Sequence, residues 1–420
     1  MGNIYNTPFN TSVVAEDSVR VFKANAERFS ANGTEAKVSE LAEAAINQWT
    51  PSGTGDMSLE LERFVEDHPG RVVVAPGSTF ILRDFGQKGV LQSTTSVDID
   101  FSDAVVLQDN DAPCVFLDNT NNASEEAAVS AITDTYVDSD SSQSTQVTLS
   151  TTLNIKAHDI VAIYAEDTVS GANVKAGEIA QVLNDESSLV FYTVGNLSRT
   201  NLFTTTIKCR KLSKTEKVRI VGGTFKSNGD ADDQSITDRE ACIKVFGYVD
   251  PEITGQTFDA PWAQMIWVQC TAFAKISGFR CKDVLDNGPH SVTGFSYGAY
   301  PYGMNYGLVV EDVVTRNGRH SIYTTGGNES GTSAWYKYGY PTKNIIRNCV
   351  SYNSYAAPFD THEQGSDIVF MDCYAYNTIS DNSGTSTTLG KGFSSRAFRD
   401  TFINCHAIGC SKGMLVVDVD

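Results

Sequence analysis

One short phrase recurs along the second half of this chain. It occurs four times, as VVEDVVTRN, IIRNCVSYN, VFMDCYAYN and TFINCHAIG. The fifth residue of each copy is small and apolar, and these residues, at intervals of 36, 24 and 32, are Val313, Cys349, Cys373 and Cys405. The same series extends upstream, at intervals of 32, 23 and 33, to Cys281, Phe258 and Phe225. Strand-like runs repeating at this period predict a parallel β-solenoid, in which stacking buries the core that one coil cannot bury alone.

The repeat covers roughly residues 69–420 with one interruption, and it resembles the right-handed parallel β-helix of pectate-lyase-like proteins. The run RVVVAPGSTFIL, which starts at Arg71, resembles the first coil of tailspikes of that class. An acidic chain with a non-solenoid head is similar, within the class, to a bacteriophage tailspike. This resemblance implies an all-β fold, a right-handed parallel β-helix with a short helical N-terminal head and a small β-rich insertion, assembled as a parallel homotrimer.

The pattern along the chain predicts four regions. They are an N-terminal helical head or adapter (1–55), the first β-helix coils (56–117), a β-rich insertion (118–217) and the main β-helix (218–420). The head carries one helical face, formed by Val38, Leu41, Ala45 and Trp49. The insertion alternates β-type runs with Gly turns, which favours a small β-barrel. The chain stops within a coil, at MLVVDVD, so we expect a C-terminal cap and trimerisation element that are shortened or missing.

Composition restricts the partners. The formal net charge of −19 repels phosphate backbones, so no nucleic acid is expected. No apolar run approaches the ~18 residues of a membrane span, and no membrane insertion is expected. The N-terminus lacks the features of a secretory signal, which fits assembly in a host cytoplasm. Nine cysteines without a CxxC spacing indicate small buried apolar residues, and VDSDSSQST lacks the Gly and distal Glu of a calcium loop, so we expect neither metal nor cofactor.

The residues before the repeated apolar position are polar and turn-forming. They are Asp312, Asn348, Asp372 and Asn404. Side chains of this type bond the backbone of their own bend, so we interpret these residues as structural rather than catalytic.

Strand alternation selects a different set of candidates. If Ile322, Phe359 and Phe393 face the core, their neighbours face outward, and these are Tyr323, Asp360, Ser394, Thr325, His362 and Arg396. Because coils stack ~4.8 Å apart, we expect Asp360, His362 and Arg396 to share one exposed patch about the size of a sugar. Tyr323 and Glu363 would border this patch. His320 is a further candidate whose direction the sequence leaves open.

These residue types allow two cleavage reactions. In many pectate-lyase-like proteins this strand face carries the active groove, and the resemblance extends that expectation to the patch. A lyase would use His362 as base and Arg396 as the cation that holds a sugar carboxylate. A glycosidase would need two carboxyl groups, which Asp360 could form with Glu363 or Asp381. A histidine beside an aspartate on a surface is also compatible with a purely structural hydrogen bond.

Two aromatic stretches, GFSYGAYPYGMNYG and SAWYKYGYP, hold more rings than coil corners need. Their aromatic residues include Tyr297, Tyr300, Tyr302, Tyr306, Trp335, Tyr336, Tyr338 and Tyr340. Aromatic faces stack on sugar rings, and we expect these residues to bind substrate beside the patch. The alternative is a subunit contact in a trimer, since Tyr and Trp are also enriched at interfaces.

These features predict a tailspike of the virion tail that binds, and is expected to cleave, a bacterial surface polysaccharide such as a capsule, an exopolysaccharide or an O-antigen. The head would dock other tail proteins. A non-catalytic structural fibre or scaffold is the main alternative, and a cellular polysaccharide lyase is the second.

Overall fold

The structure, a computed structural model, describes residues 46–92, 94–108, 112–136, 143–168, 174–227, 241–259, 264–281, 297–327, 334–354, 356–362, 365–378 and 390–416. Residues 45–420 form one compact unit. Most of the expected helical head, together with Glu363 and Asp381, lies outside the described residues.

The described part of the chain is built almost entirely of strands. The first coils contain β1 (Ile46–Trp49), the helix α1 (Ser58–Asp67), β2 (Arg71–Val74), β3 (Thr79–Ile81), β4 (Val97–Asp100), β5 (Val105–Gln108) and β6 (Val115–Asp118). The insertion contains β7 (Ala127–Tyr136), β8 (Gln143–Leu149), β9 (Ile160–Thr168), β10 (Lys175–Asp185), β11 (Val190–Thr193) and β12 (Lys208–Lys211). Short 3-10 helices are Thr120–Asn122, Thr200–Leu202 and Trp335–Lys337.

Short strands continue to the end of the described chain. They are β13 (Val218–Val221), β14 (Thr224–Ser227), β15 (Ile243–Phe246), β16 (Glu252–Thr254), β17 (Thr257–Asp259), β18 (Ile266–Ala272), β19 (Lys275–Ser277), β20 (Arg280–Cys281), β21 (Tyr297–Tyr306), β22 (Val309–Glu311), β23 (Val314–Arg316), β24 (His320–Thr324), β25 (Pro341–Thr342), β26 (Ile345–Arg347), β27 (Val350–Tyr352), β28 (Phe359–Thr361), β29 (Val369–Met371), β30 (Tyr374–Tyr376), β31 (Lys391–Ser395), β32 (Thr401–Ile403), β33 (His406–Ile408) and β34 (Lys412–Val416).

Three sheets, all of parallel strands, run the length of the solenoid. Sheet A has the order β1-β2-β4-β13-β16-β19-β22-β26-β29-β32, and sheet B the order β3-β5-β14-β17-β20-β23-β27-β30-β33. Sheet C has the order β6-β15-β18-β21-β24-β28-β31-β34, with β25 beside β21. From β4 onward, each coil gives one strand to each sheet in turn, which confirms the predicted parallel β-helix. Parallel crossovers of this kind are right-handed.

Left-handed backbone conformations make the corners between sheets A and B. The four predicted bend residues have positive φ values of 57°, 53°, 52° and 50°, at Asp312, Asn348, Asp372 and Asn404. Asn and Asp tolerate this region better than other side chains because they bond locally. In addition, Asn404 Nδ2 donates to Asp372 Oδ1 of the coil below at 2.6 Å. These residues therefore form the bends, as the structural interpretation predicts.

The repeated apolar residues face the core in two register groups. Phe225, Phe258 and Cys281 are aligned, at 1%, 0% and 3% exposure. Val313 belongs to a second series, since Arg280 pairs with Val314 and this places Val313 level with Phe279. The predicted alignment of Cys281 with Val313 is therefore wrong by two residues. Both side chains still point inward, because a shift of two preserves strand alternation.

The second series continues through the later coils. Val314 pairs with Val350, Val350 with Tyr374 and Tyr374 with His406, so the preceding apolar residues stack as predicted. Cys349 and Cys373 are fully buried, and Cys405 is partly buried against the same core. All nine cysteines are free thiols, as expected for apolar packing residues.

The first coil begins earlier than the sequence indicates. Trp49, expected at the end of a helical face, lies in β1 and pairs with Val74 of β2. It is 2% exposed, and its ring meets Phe80 edge-on at 5.2 Å. The helical prediction is wrong for 46–49 because burial of Trp49 in the solenoid core outweighs local helix preference. Helix α1 packs Leu61 and Val65 against the same core.

The insertion is a closed antiparallel barrel with the strand order β10-β11-β8-β7-β12-β9. A small β-barrel was predicted for this region. It has its own apolar core, and its outer surface packs on the solenoid through a cluster that includes Tyr164, Ile179 and Met304. A second contact is polar. The backbone N–H of Ser198 donates to the buried Glu178 carboxylate at 2.8 Å, and the Ser198 hydroxyl donates to Asp367 of the solenoid at 2.8 Å.

Candidate functional site

The predicted patch lies on three adjacent strands of sheet C. Ile322 pairs with Phe359, and Phe359 with Phe393, and all three are buried in the core. The next residues along these strands, Tyr323, Asp360 and Ser394, are likewise paired. The strands and register expected from alternation are therefore present, and they determine which side chains can meet outside the core.

Asp360 is at the centre of the cluster. Its Oδ2 accepts a hydrogen bond from Arg396 Nη2 at 2.6 Å, and the Nε2 atoms of His362 and His320 lie 3.9 Å and 4.0 Å from the same oxygen. The Asp360 side chain is only 5% exposed, whereas those of His362 and Arg396 are 23% and 24% exposed. The expected exposed patch is thus wrong for Asp360, because the surrounding side chains close over the carboxyl. The Asp360 carboxyl lies at the bottom of the cluster, and the more exposed side chains of His362 and Arg396 form its accessible rim.

Burial controls the ionisation of this carboxyl. Removal from water raises the pKa of Asp360, against the opposing effects of the Arg396 guanidinium, the Ser394 hydroxyl and the Lys391 ammonium. Its Oδ1 is buried and accepts no hydrogen bond of normal geometry from the described residues. A buried carboxyl with a raised pKa and one unused oxygen is suited to giving or taking a proton.

His362 is a neutral imidazole. Its Nε2 is hydrogen-bonded to the Tyr323 hydroxyl, which lies on the neighbouring coil. Burial lowers the pKa of His362 to about 3, and the charges of Arg396 and Arg319 lower it further. Burial also raises the pKa of Tyr323, so the phenol keeps its proton at neutral pH. A neutral imidazole at the rim is a possible base, with the phenol as its partner.

His320 faces the cluster because the strand is irregular beside it. The N–H groups of Ser321 and Ile322 both donate to the Pro358 carbonyl, so two successive residues point inward. His320 consequently lies outside the core, where its Nδ1 is bonded to the Ala357 carbonyl. Burial, and then the charge of Arg319, hold the pKa of His320 well below its usual value.

A similar irregularity on β31 turns toward the cluster a residue that sequence reasoning missed. Alternation from Phe393 would point Lys391 inward, but Gly392 occupies the extra inward position. A Cβ on Gly392 would lie 2.4 Å from the Cβ of Ala407 in the core. Lys391 therefore shares the outer side with His320, and it is close enough to lower the pKa of Asp360. The signal available in the sequence was the Lys-Gly pair at the start of this strand.

Aromatic side chains continue from the cluster along sheet C. Tyr297 and Tyr300 stack on Tyr323 with ring centroids 4.6 Å and 5.5 Å away. Further neighbouring rings, 5.1 to 5.7 Å apart, extend the series toward the N-terminal coils. We call this set the aromatic ribbon, and it comprises Phe116, Phe246, Trp267, Tyr300, Tyr302 and Tyr323. Phe116, Trp267 and Tyr323 are partly exposed, and the others are buried.

The second aromatic stretch contacts the barrel instead. Trp335 stacks on Tyr164 at 6.0 Å, and Tyr338 meets the same ring edge-on at 5.7 Å. The Tyr338 hydroxyl is also bonded to Lys175 at 3.0 Å. Tyr336 accepts a hydrogen bond from Gln269 through its backbone carbonyl at 2.9 Å. The contacts of Trp335 and Tyr338 thus join the insertion to the solenoid.

Within the ranges given above, the described residues contain no cluster of potential metal ligands. No three His, Cys, Asp or Glu side chains among them are grouped closely enough to hold an ion. Nor does any helix in the described ranges have the length and apolarity needed to cross a membrane.

Comparison with known proteins gives a fold relationship. No family model matches the sequence. The Gp54 tailspike of Acinetobacter baumannii bacteriophage AP22, solved in complex with an A. baumannii capsular saccharide, has a TM-score of 0.52 and 11% identity, covering 85% of this chain and 56% of that chain. The tailspike protein gp49 from Pseudomonas phage LKA1 has a TM-score of 0.49 and 15% identity, covering 83% and 56%. The chain spans about half the length of these tailspikes, and with its three parallel sheets it shares the parallel β-helix fold of the AP22 tailspike.

Proposed function

We propose that this chain is a bacteriophage tailspike, a receptor-binding protein of the virion tail that binds and depolymerises a bacterial surface polysaccharide. The observation that carries the proposal is the Asp360 cluster: a protonatable carboxyl, a neutral His362 and a cationic Arg396 on one outer face of a β-helix. The fold likeness to a tailspike whose structure contains a capsular saccharide supports the choice of substrate class. We further propose a homotrimer attached to other tail proteins through the N-terminal head.

The aromatic ribbon supports glycan binding at this face. Trp267 and Tyr323 present partly exposed rings along the ribbon, with Tyr323 beside the cluster, and sugar rings pack their apolar C–H faces on such surfaces. The ribbon runs across successive coils, parallel to the axis of the β-helix. A linear polymer bound along this axis would contact several of its rings. Polymer bound there would reach the cluster at Tyr323.

Two reactions fit the described residues. In β-elimination, His362 would take the proton next to a sugar carboxylate, Arg396 would stabilise the developing charge, and a protonated Asp360 or Tyr323 would serve the leaving oxygen. In hydrolysis, Asp360 would act as the acid, and a second carboxylate would come from Glu363 or Asp381. The first reaction needs no group beyond the described cluster.

Substitution of the two proton-transfer candidates tests the proposal. We expect His362→Ala and Asp360→Asn each to reduce polysaccharide cleavage by at least ~10²-fold, the usual contribution of a positioned acid or base. His406→Ala, on the outer side of sheet B, is the matched control and should cleave normally. Ultraviolet absorbance of an unsaturated product would identify elimination. Full cleavage by both variants would exclude the cluster as the catalytic site.

Binding without cleavage is the second candidate function. It is favoured by the burial of Asp360 and by its hydrogen bond from Arg396, because a buried carboxyl group that is already paired within the protein is less available to substrate. In that case the wild-type protein would bind polysaccharide and release no shorter chains. Size-exclusion chromatography of the polymer after incubation separates the two functions.

A further inference from the structure

Among the described residues, the charge around Asp360 is opposite in sign to that of the chain. The whole protein has a formal net charge of −19. Around Asp360, however, the described cations are Arg319, Lys391 and Arg396, while Asp360 is the carboxylate that they face. Local positive charge within an acidic protein is not explained by composition, so it calls for a specific partner.

Two of these cations are not within ion-pair distance of a carboxylate in the described part of the chain. Arg396 is paired with Asp360 at 2.6 Å. Lys391 and Arg319, by contrast, make no ion pair and no side-chain hydrogen bond with the residues that the structure describes. Lys391 is also only 1% exposed. Burial lowers its pKa, and the nearby charge of Asp360 opposes this shift.

Keeping such a lysine reduces stability, since an incompletely paired buried charge is costly. Residues that lower the stability of a protein in this way are expected at functional sites. Lys391 lies on the same outer column as His320, and Arg319 directly precedes His320 in the chain. Arg319 contributes to the lowered pKa of both His320 and His362, which places its charge near both imidazoles.

We infer that Lys391 and Arg319 bind the carboxylate of an acidic sugar, so that the polysaccharide recognised here is an acidic one. This inference rests on the proposed function and specifies its substrate class. Arg319 comes just before β24 and Lys391 lies in β31, the two strands that flank the Asp360 strand β28. Two cations in these positions would hold a carboxylate by charge-assisted hydrogen bonds. The ring of that sugar would then lie toward Tyr323 and His362. A neutral polysaccharide would leave both cations without a partner.

Carboxyl reduction provides the test. Purified bacterial capsular polysaccharides that contain uronic acids are offered to the full chain before and after reduction of their carboxylates to primary alcohols. We expect at least about tenfold weaker binding after reduction, measured by calorimetry, which corresponds to about 1.4 kcal/mol. Lys391→Met should weaken binding of the native polymer by a similar factor and change little with the reduced one. Arg319→Gln, at a less buried position, serves the same purpose if Lys391→Met fails to fold.

Lys226→Met on sheet B is the control, since it removes one positive charge from another face. Equal binding of native and reduced polymer, or tight binding of neutral polysaccharides only, would overturn the inference and leave polysaccharide binding intact. Failure to bind any polysaccharide would overturn both proposals. Equal losses in Lys391→Met and Lys226→Met would also count against a specific carboxylate site.

Discussion

Glu178 is a carboxyl group removed from water at the contact between barrel and solenoid. It is fully buried and accepts the Ser198 N–H. Burial raises its pKa to about 7, with Lys343 opposing this shift. The folded protein therefore holds a proton on Glu178 at pH values where the unfolded chain, with a pKa near 4.5, has released it.

The sign of the pH dependence follows from this difference. The contribution of Glu178 to stability is fully present below pH 4.5 and is lost as the pH rises through about 7. We predict that Glu178→Gln, which cannot ionise, raises stability at pH 8 by roughly 3 kcal/mol and changes it little at pH 4.5. Urea denaturation at both pH values measures this. Exposed Glu125→Gln is the control, and an equal effect of Glu178→Gln at the two pH values would contradict the prediction.

The cluster itself shows which site residues sequence reasoning can find. Asp360, His362 and Arg396 were predicted together because alternation and coil stacking are regular between β28 and β31. The directions of His320 and Lys391 were not predictable, because each depends on an extra inward residue, Ser321 or Gly392. Burial of Asp360 was also missed, since it results from side chains on three coils at once.

At the level of strands, the sequence predicts which residues face the core more reliably than it predicts the register between neighbouring strands. The shift of two residues between Cys281 and Val313 leaves no trace in the apolar pattern, because either alignment puts both side chains inside. Only the strand pairing of Arg280 with Val314 reveals it. The contacts of Trp335 and Tyr338 with the barrel were missed for another reason. They depend on how the insertion packs on the solenoid, and no local pattern encodes that packing.

The corners between sheets A and B depend on residues that accept a left-handed backbone. Asn348 is exposed, has a φ of 53°, and its N–H is bonded to Met371 of the next coil. We predict that Asn348→Val destabilises the protein by about 1–2 kcal/mol, the steric cost of this conformation for a side chain with a branched Cβ. Asn348→Gly should stay within a few tenths of a kcal/mol of the wild type. Chemical denaturation of the pair measures the difference, and equal stabilities would refute a conformational cause.

At the scale of the whole molecule, the proposed function favours several copies acting together. Polysaccharides repeat the same unit, so linked binding sites raise overall affinity without any new contact. We predict a parallel homotrimer, with a mass by light scattering about three times the 45.5 kDa of the chain. A mass matching one chain, at concentrations where polysaccharide is bound, would contradict this prediction.

The barrel determines the order in which the strands of the solenoid can pair as the chain is synthesised. Strands β4, β5 and β6 find their next partners in β13, β14 and β15, on the far side of the insertion. Asn119 and Glu216, which are hydrogen-bonded at the neck of the barrel, are separated by 97 positions. At a synthesis rate of ~5–20 residues per second, the ribosome needs roughly 5–20 s to cross that distance. During this interval β4, β5 and β6 each have an unpaired edge. The barrel can fold in the same interval, because its strands pair only with one another. The insertion thus delays the growth of the β-helix, because β4, β5 and β6 gain their next partners only after the barrel has been synthesised.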